Sequence, residues 1–299
     1  MIEAKNIVKR FDQITAIDNL SADIKEGSVF GLIGTNGAGK STFLKIAAGI
    51  LKPDSGTLLI DGEKIFENTG KKAEFFYISD DQFYLSNSTP KDMMRFYQTV
   101  YPNFDLKCFE KLLAAFGLSQ NRKVLTFSKG MKKQLSVILA LSAKTKYIFC
   151  DETFDGLDPM MRQTVKSLFA QEIESRGLTP VIASHNLREL EDICDHIGLL
   201  HQGGILLSRE LDEMKLNIHR IQCVLKPGMS LSEMSDLHII AQKQIGSLHT
   251  LTIRGAAEEI REKLSKYEPL FFEMIPLTLE EIFISETEVK GYDIKKLIF

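Results

Sequence analysis

Gly34-Thr35-Asn36-Gly37-Ala38-Gly39-Lys40-Ser41 follows the apolar run Val29-Phe30-Gly31-Leu32-Ile33 and leads into a segment of helical pattern. The spacing is G-x-x-x-x-G-K-[ST] between a strand and a helix, the context in which it forms a phosphate-binding loop rather than a chance glycine-rich turn. Its glycines let the backbone curl so that successive N–H groups point inward at phosphate oxygens. The helix starting near Lys40 adds its positive dipole end. Gly34, Asn36, Gly37, Ala38 and Gly39 are therefore expected to line a nucleoside triphosphate, ATP. Lys40 should reach its β- and γ-phosphates, Ser41 should offer a hydroxyl to Mg²⁺, and Thr42 should donate to the α- or β-phosphate.

Outward from this loop, the residues up to about Lys215 alternate strand-like apolar runs with helical segments, the pattern of a mostly parallel sheet flanked by helices. Tyr147–Cys150 and Pro180–Ala183 read as further buried strands, each ending in a polar cluster. In open α/β sheets, ligands gather at the carboxyl ends of such strands. Ile2–Ile24 alternates like antiparallel strands, Gly56–Lys64 reads as another hairpin element, and Thr89–Gly117 is helix-rich. The fold class expected is α/β: a P-loop NTPase core with an antiparallel β subdomain and a helical subdomain, plus a small C-terminal α+β domain. The ATP-binding domain is placed at 1–215 and the accessory domain at 216–299, where short strands and one helix (Ala256–Lys266) precede a closing helix from Leu279.

The strand Tyr147-Ile148-Phe149-Cys150 ends in Asp151-Glu152. Two carboxylates beside a core strand are costly unless something compensates them. A Mg²⁺ held by Asp151 would compensate one. Neighbours on a strand point to opposite faces, so Glu152 is left for a second task, orienting or deprotonating an attacking water.

Composition narrows the rest. With 44% hydrophobic and 26% charged residues the chain is an ordinary globular one. Lys plus Arg (37) nearly balance Asp plus Glu (40), which argues against nucleic acid as the main partner. No run approaches the ~18 apolar residues of a membrane span, and no signal peptide is legible, so a membrane role has to come through another subunit. The four cysteines form no Cys-x-x-Cys pair and read as small apolar residues in a reducing compartment.

Further motifs carry a resemblance to the ATP-binding cassette (ABC) family. Phe127-Ser128-Lys129-Gly130-Met131 resembles the family's Leu-Ser-Gly-Gly-Gln signature, with Ser128 and Gly130 matching and Lys129 and Met131 departing. Lys129 could add positive charge near the γ-phosphate or project into solvent. Asp155-Gly156-Leu157-Asp158 resembles the D-loop linking two nucleotide sites, with Thr153 standing where most relatives have proline. His185, in Ala183-Ser184-His185-Asn186, resembles the switch histidine that contacts the γ-phosphate, and Phe11 the aromatic that stacks on adenine. In Tyr77-Ile78-Ser79-Asp80-Asp81-Gln82 the Q-loop position, a metal contact, falls by spacing on Asp80, with Gln82 as the alternative by chemistry. Pro276–Phe283 resembles the closing segment of ATPases that drive ABC-2-type exporters, and within that group the chain looks most like the YtrB-like ATPases of Gram-positive bacteria.

What the resemblance implies is an ATP-hydrolysing transporter subunit, with Glu152, His185 and Lys40 catalytic, and Ser41, Asp80 and Asp151 at Mg²⁺. Ser128, Gly130 and Asp158 would serve a nucleotide shared with a second ATPase, in a homodimer or a heterodimer. It implies further a transmembrane permease partner, no nucleic acid, and a cytoplasmic place on the inner face of the membrane. The Met and Phe residues of Thr89–Tyr101 would form the permease groove or fill a core. The rival reading is a non-transport ABC ATPase acting on ribosomes or DNA. It would normally bring a second cassette or a long coiled-coil insertion, and neither is in the sequence.

Overall fold

Alternating apolar positions pair the N-terminal segment with its successor. In the computed structural model, which describes residues 1–211, 218–229, 231, 234–275 and 277–288, β1 (Ile2–Phe11) runs antiparallel to β2 (Ile14–Ile24). On its other side β1 pairs with β4 (Ser55–Ile60), and β5 (Glu63–Lys64) completes a sheet of order β2-β1-β4-β5. One face of this sheet is apolar: Ile2, Ile7, Ile17, Leu20 and Ile60 are all buried.

Between β2 and β4 lie β3 (Phe30–Ile33), buried at every position, and α1 (Lys40–Ala47). The second sheet has the order β10-β9-β3-β8-β7-β6, with β6 at Phe75–Ile78, β7 at Tyr147–Asp151 and β8 at Thr179–Ser184. It closes with β9 (His196–His201) and β10 (Gly204–Glu210). Strands β6, β7, β8, β3 and β9 are parallel neighbours. Every residue of β3, β7 and β8 is buried, the continuous apolar reading of a strand covered on both faces. One core runs from the antiparallel sheet through Phe43, Leu44 and Ile46 of α1 to Phe30, Phe149 and Val181 of the parallel sheet.

The helix-rich stretch contains α2 (Thr69–Lys72), α3 (Pro90–Val100), α4 (Leu106–Ala115) and α5 (Lys129–Ser142). Thr89 and Asp92 form a reciprocal capping box with Pro90 in the first turn, which fixes where α3 starts. Its side chains divide: Met93 and Met94 are buried, while Phe96 and Val100 are exposed. After β7 come α6 (Pro159–Arg176) and α7 (Leu187–Glu191).

The chain divides into two compact units, Met1–Ser208 and Arg209–Phe299; residues 212–217, which contain the boundary read from the sequence, lie outside the described residues. In the second unit β11 (Ile218–Val224), β12 (His238–Ile245), β13 (Leu248–Arg254) and β14 (Phe271–Ile275) form an antiparallel sheet of order β12-β13-β11-β14. Ile260 and Leu264 of α8 (Ala257–Lys266) pack with Ile221, Cys223, Leu251 and Ile253 of this sheet. The last element among the described residues is α9 (Leu279–Glu288); Pro276, in the segment singled out by sequence, is outside the described residues. Cys150, Cys194 and Cys223 are buried free thiols, and burial pushes the Cys150 thiol up to about 12. Among the described residues no helix is long and apolar enough to cross a membrane.

Candidate active site

Strand register assembles the site. Ile33 at the end of β3 lies opposite Ser184 at the end of β8, and Ala183 of β8 lies opposite Asp151 at the end of β7. Three carboxyl ends therefore finish side by side. They carry the Gly34–Gly39 loop, the pair Asp151-Glu152, and His185.

The loop turns tightly. The Ala38 N–H donates to the Thr35 carbonyl (3.1 Å), and the Ala38 carbonyl accepts from the Gly203 N–H (3.1 Å). Gly34 and Ala38 are buried, whereas Asn36 and Gly37 are exposed at the tip. Gly39 has φ +106°, and a Cβ there would stand 2.4 Å from the Ala16 carbonyl oxygen. Only glycine satisfies both demands. The α1 helix starts at once, with Lys40, Ser41 and Thr42 in its first turn, so unpaired N–H groups of that turn face the space inside the loop.

Six side chains converge at this point: Lys40, Ser41, Tyr77, Asp151, Glu152 and His185. Lys40 is 5% exposed and donates to the carbonyls of Gly34 (2.6 Å) and Thr35 (3.2 Å), with its ammonium 3.4 Å from Glu152 Oε1. The Ser41 hydroxyl donates to Asp151 Oδ1 (2.9 Å) and the Tyr77 hydroxyl to Asp151 Oδ2 (3.0 Å). Glu152 Oε2 lies 2.9 Å from His185 Nδ1, within hydrogen-bond distance. Burial raises the Asp151 pKa, and Glu152 beside it adds to the rise, while the Ser41 and Tyr77 hydrogen bonds oppose it.

That imbalance suits a cation. Asp151 and the Ser41 hydroxyl are hard oxygen donors set against a loop built for phosphate, the donor set that Mg²⁺ uses when it keeps water and phosphate oxygens as its other ligands. Asp80 lies beside the cluster and is joined to it through Lys133, which also donates to the Glu152 carbonyl. Its carboxylate pairs with Lys133 Nζ at 3.1 Å, and the alternative, Gln82, donates its amide to the carbonyls of Ser79 (3.1 Å) and Asp80 (2.7 Å).

Other residues singled out by sequence lie outside this cluster. Ser128 caps α5, accepting from the Met131 N–H (3.2 Å), and Asp158 caps α6, accepting from the Met161 N–H (2.9 Å). Lys129 projects into solvent, its side chain 61% exposed, and pairs there with Asp155 at 3.0 Å. A Cβ on Gly130 would meet the Gly156 carbonyl oxygen at 3.1 Å, so the two loops touch within one chain. Phe11, at the end of β1, is 43% exposed, with the Lys9 ammonium 5.5 Å from its ring centroid.

Two functional neighbours were missed in the sequence, Tyr77 and Lys133. Lys133 falls three, four and seven residues before Ser136, Val137 and Ala140, all buried. A lysine on the apolar face of a helix was the available signal.

Comparison with known proteins settles the family. Residues 17–155 match the family model described as ABC transporter. The chain is 31% identical over 286 residues to the ABC transporter ATP-binding protein YtrB of Bacillus subtilis, covering 96% of this chain and 98% of that one. The chain belongs to the ABC transporter ATP-binding proteins. It is also 32% identical over 214 residues to the lantibiotic transport ATP-binding protein SrtF of Streptococcus pyogenes, covering 71% of this chain and 92% of that one. A solved ATP-binding subunit of an ABC transporter superposes with a TM-score of 0.66 at 25% identity, covering 72% of this chain and 92% of its own. As an ABC ATPase the chain binds and hydrolyses ATP as a transporter subunit.

Proposed function

We propose that this chain powers an exporter through a nucleotide site completed by a second ATPase, and that 1–215 is its ATP-binding domain and 216–299 an accessory domain. One observation carries the reading: Lys40, Ser41, Asp151, Glu152 and His185 converge at three adjacent strand ends. Meanwhile Ser128 caps α5 and Gly130 lies against Gly156, which leaves both for a nucleotide held by another subunit. Lys40 neutralises the β- and γ-phosphates, aided by the N–H groups of Gly34–Gly39 and by Thr42. Ser41 and Asp151 would hold Mg²⁺, with Asp80 contributing from the loop after β6, and the ion would supply positive charge at the phosphate oxygens. Glu152 takes the proton of the attacking water, and His185 fixes the carboxylate in position. Phe11 stacks on the adenine. In phosphoryl transfer positioning and charge do nearly all the work.

Ser128 and Gly130, at the start of α5, present a helix N-terminus to the γ-phosphate held by the second subunit, and Asp158 lies in the loop that joins the sites. ATP then closes a homodimer or a heterodimer, and hydrolysis loosens it. Because ATP binds the closed state better, its differential affinity moves a transmembrane permease from the cytoplasmic face. Export rather than import is supported by the resemblance of Pro276–Phe283 to the closing segment of ATPases that drive ABC-2-type exporters.

Affinity purification of the tagged chain from native membranes with ATP, followed by mass spectrometry, tests the partner. A stoichiometric multi-spanning protein supports the transporter reading; recovery with ribosomes or DNA alone overturns it. Light scattering of Glu152→Gln with saturating MgATP tests the shared site, and a persistent monomer rejects it.

A further inference from the structure

Lys133 is one of the largest fully buried side chains in the protein, at 0% exposure. Taking an ammonium wholly out of water is strongly unfavourable unless it is paired and hydrogen-bonded. Its two partners come from different elements. One is Asp80 Oδ1, at 3.1 Å, on the loop after β6. The other is the backbone carbonyl of Glu152, which accepts from the same ammonium.

That peptide is unusual. Glu152 has φ +48°, a left-handed conformation sparse for a residue with a Cβ. Such a conformation persists where surrounding bonds over-determine it. Here the Glu152 N–H donates to the Ala183 carbonyl (3.0 Å), and the Glu152 carbonyl accepts from the Asp155 N–H (3.2 Å) as well as from Lys133. The backbone torsion decides where the side chain leaves the strand end, and so whether its carboxylate meets Lys40 and His185. Lys133 sits on α5, one turn beyond Ser128 and Gly130.

We propose that Lys133 is a positioning residue for ATP hydrolysis. It holds the Glu152 peptide in its left-handed turn and ties that turn to the loop bearing Asp80 and to the helix that begins at Ser128. Any shift of α5 or of the Asp80 loop is transmitted to the carboxylate that handles the water. The inference rests on the reading of Glu152 as the base.

The test is steady-state ATPase kinetics of the full-length chain and of Lys133→Met, Glu152→Gln and the double variant, with melting temperatures. Methionine keeps the length and apolar stem of lysine and removes the donor and the charge. The expected result is a fall in kcat of about 10- to 100-fold for Lys133→Met, the scale of a small misplacement of a catalytic group, with KM for ATP within twofold of wild type. Added to Glu152→Gln, Lys133→Met should lower the residual rate no further, because a residue that acts through Glu152 has nothing left to position. A wild-type kcat in Lys133→Met, a parallel loss of ATP affinity, or a full further loss in the double variant overturns the inference. Wild-type turnover in Glu152→Gln overturns the base assignment instead, and the inference with it. If Lys133→Met does not fold, Lys133→Ala is read in the same way.

Discussion

Asp151 shows what a single side chain gives up for function. Burial holds its pKa above the ordinary aspartate value. For an acid with a raised folded pKa, the native state binds more protons than the unfolded chain between the two values, so stability falls as pH rises through that window. Above that window the ionised carboxylate is a net burden on the protein without metal. Asp151→Asn should therefore melt at or above the wild-type temperature while losing turnover; a melting point several degrees lower would contradict this. Gly39→Ala meets the opposite fate. It combines a positive φ with a Cβ driven against the Ala16 carbonyl, and a strained backbone of this kind costs about 1–3 kcal/mol. Both the melting temperature and ATP affinity should drop. Lys40→Ala removes the ammonium that the loop carbonyls and Glu152 surround, and equilibrium binding of a fluorescent ATP analogue should be nearly abolished.

At the scale of elements, two helix caps separate stability from turnover. Ser128 caps α5 beside the D-loop, and Thr89 caps α3 by a reciprocal box with Asp92. Replacing either by alanine costs about 1 kcal/mol of stability. Thr89→Ala should lose that stability and keep the basal ATPase rate of the isolated chain. Ser128→Ala should lose it together with most of the turnover if, as proposed, its hydroxyl serves the nucleotide of a second subunit. Equal rates in the two variants at saturating ATP would remove Ser128 from the site. The same scale shows the limits of motif reading. A hydroxyl before a helix is legible in the sequence, but that Lys129 turns to Asp155 depends on how close the loops after β7 and before α5 come.

Across the first unit, the antiparallel and parallel sheets are stitched by Asp61, in the turn between β4 and β5. Its carboxylate accepts from the Met1 amine (2.5 Å), from Lys146 (2.9 Å) and from the Tyr147 hydroxyl (2.8 Å). Burial works to raise the Asp61 pKa, yet these three donors outweigh it and hold the group well below the usual carboxylate range. A depressed folded pKa contributes stability that is present above the unfolded value, near 3.9, and is lost as pH falls toward the folded one. The melting temperature should therefore decline as pH drops below about 4, and Asp61→Asn should flatten that part of the profile while lowering stability at neutral pH. An unchanged acid profile would show that the stitch carries no weight.

The sequence alone determined the local chemistry. Glycine spacing, the lysine and serine that follow it, and an apolar strand ending in Asp151-Glu152 are statements about neighbours along the chain, and neighbours are what a sequence records. The element types were legible for the same reason, since hydrophobic period and capping residues act within a few positions. Only the tertiary structure decided which strand ends meet, because the order β9-β3-β8-β7-β6 is a matter of packing between distant segments. It set Asp80 against Lys133 and gave Asp151 the Tyr77 hydroxyl. A buried lysine can be suspected from its place on an apolar face, but its partners lie 53 and 19 residues away. No local pattern names them, since their approach is bought by the folding of the whole unit.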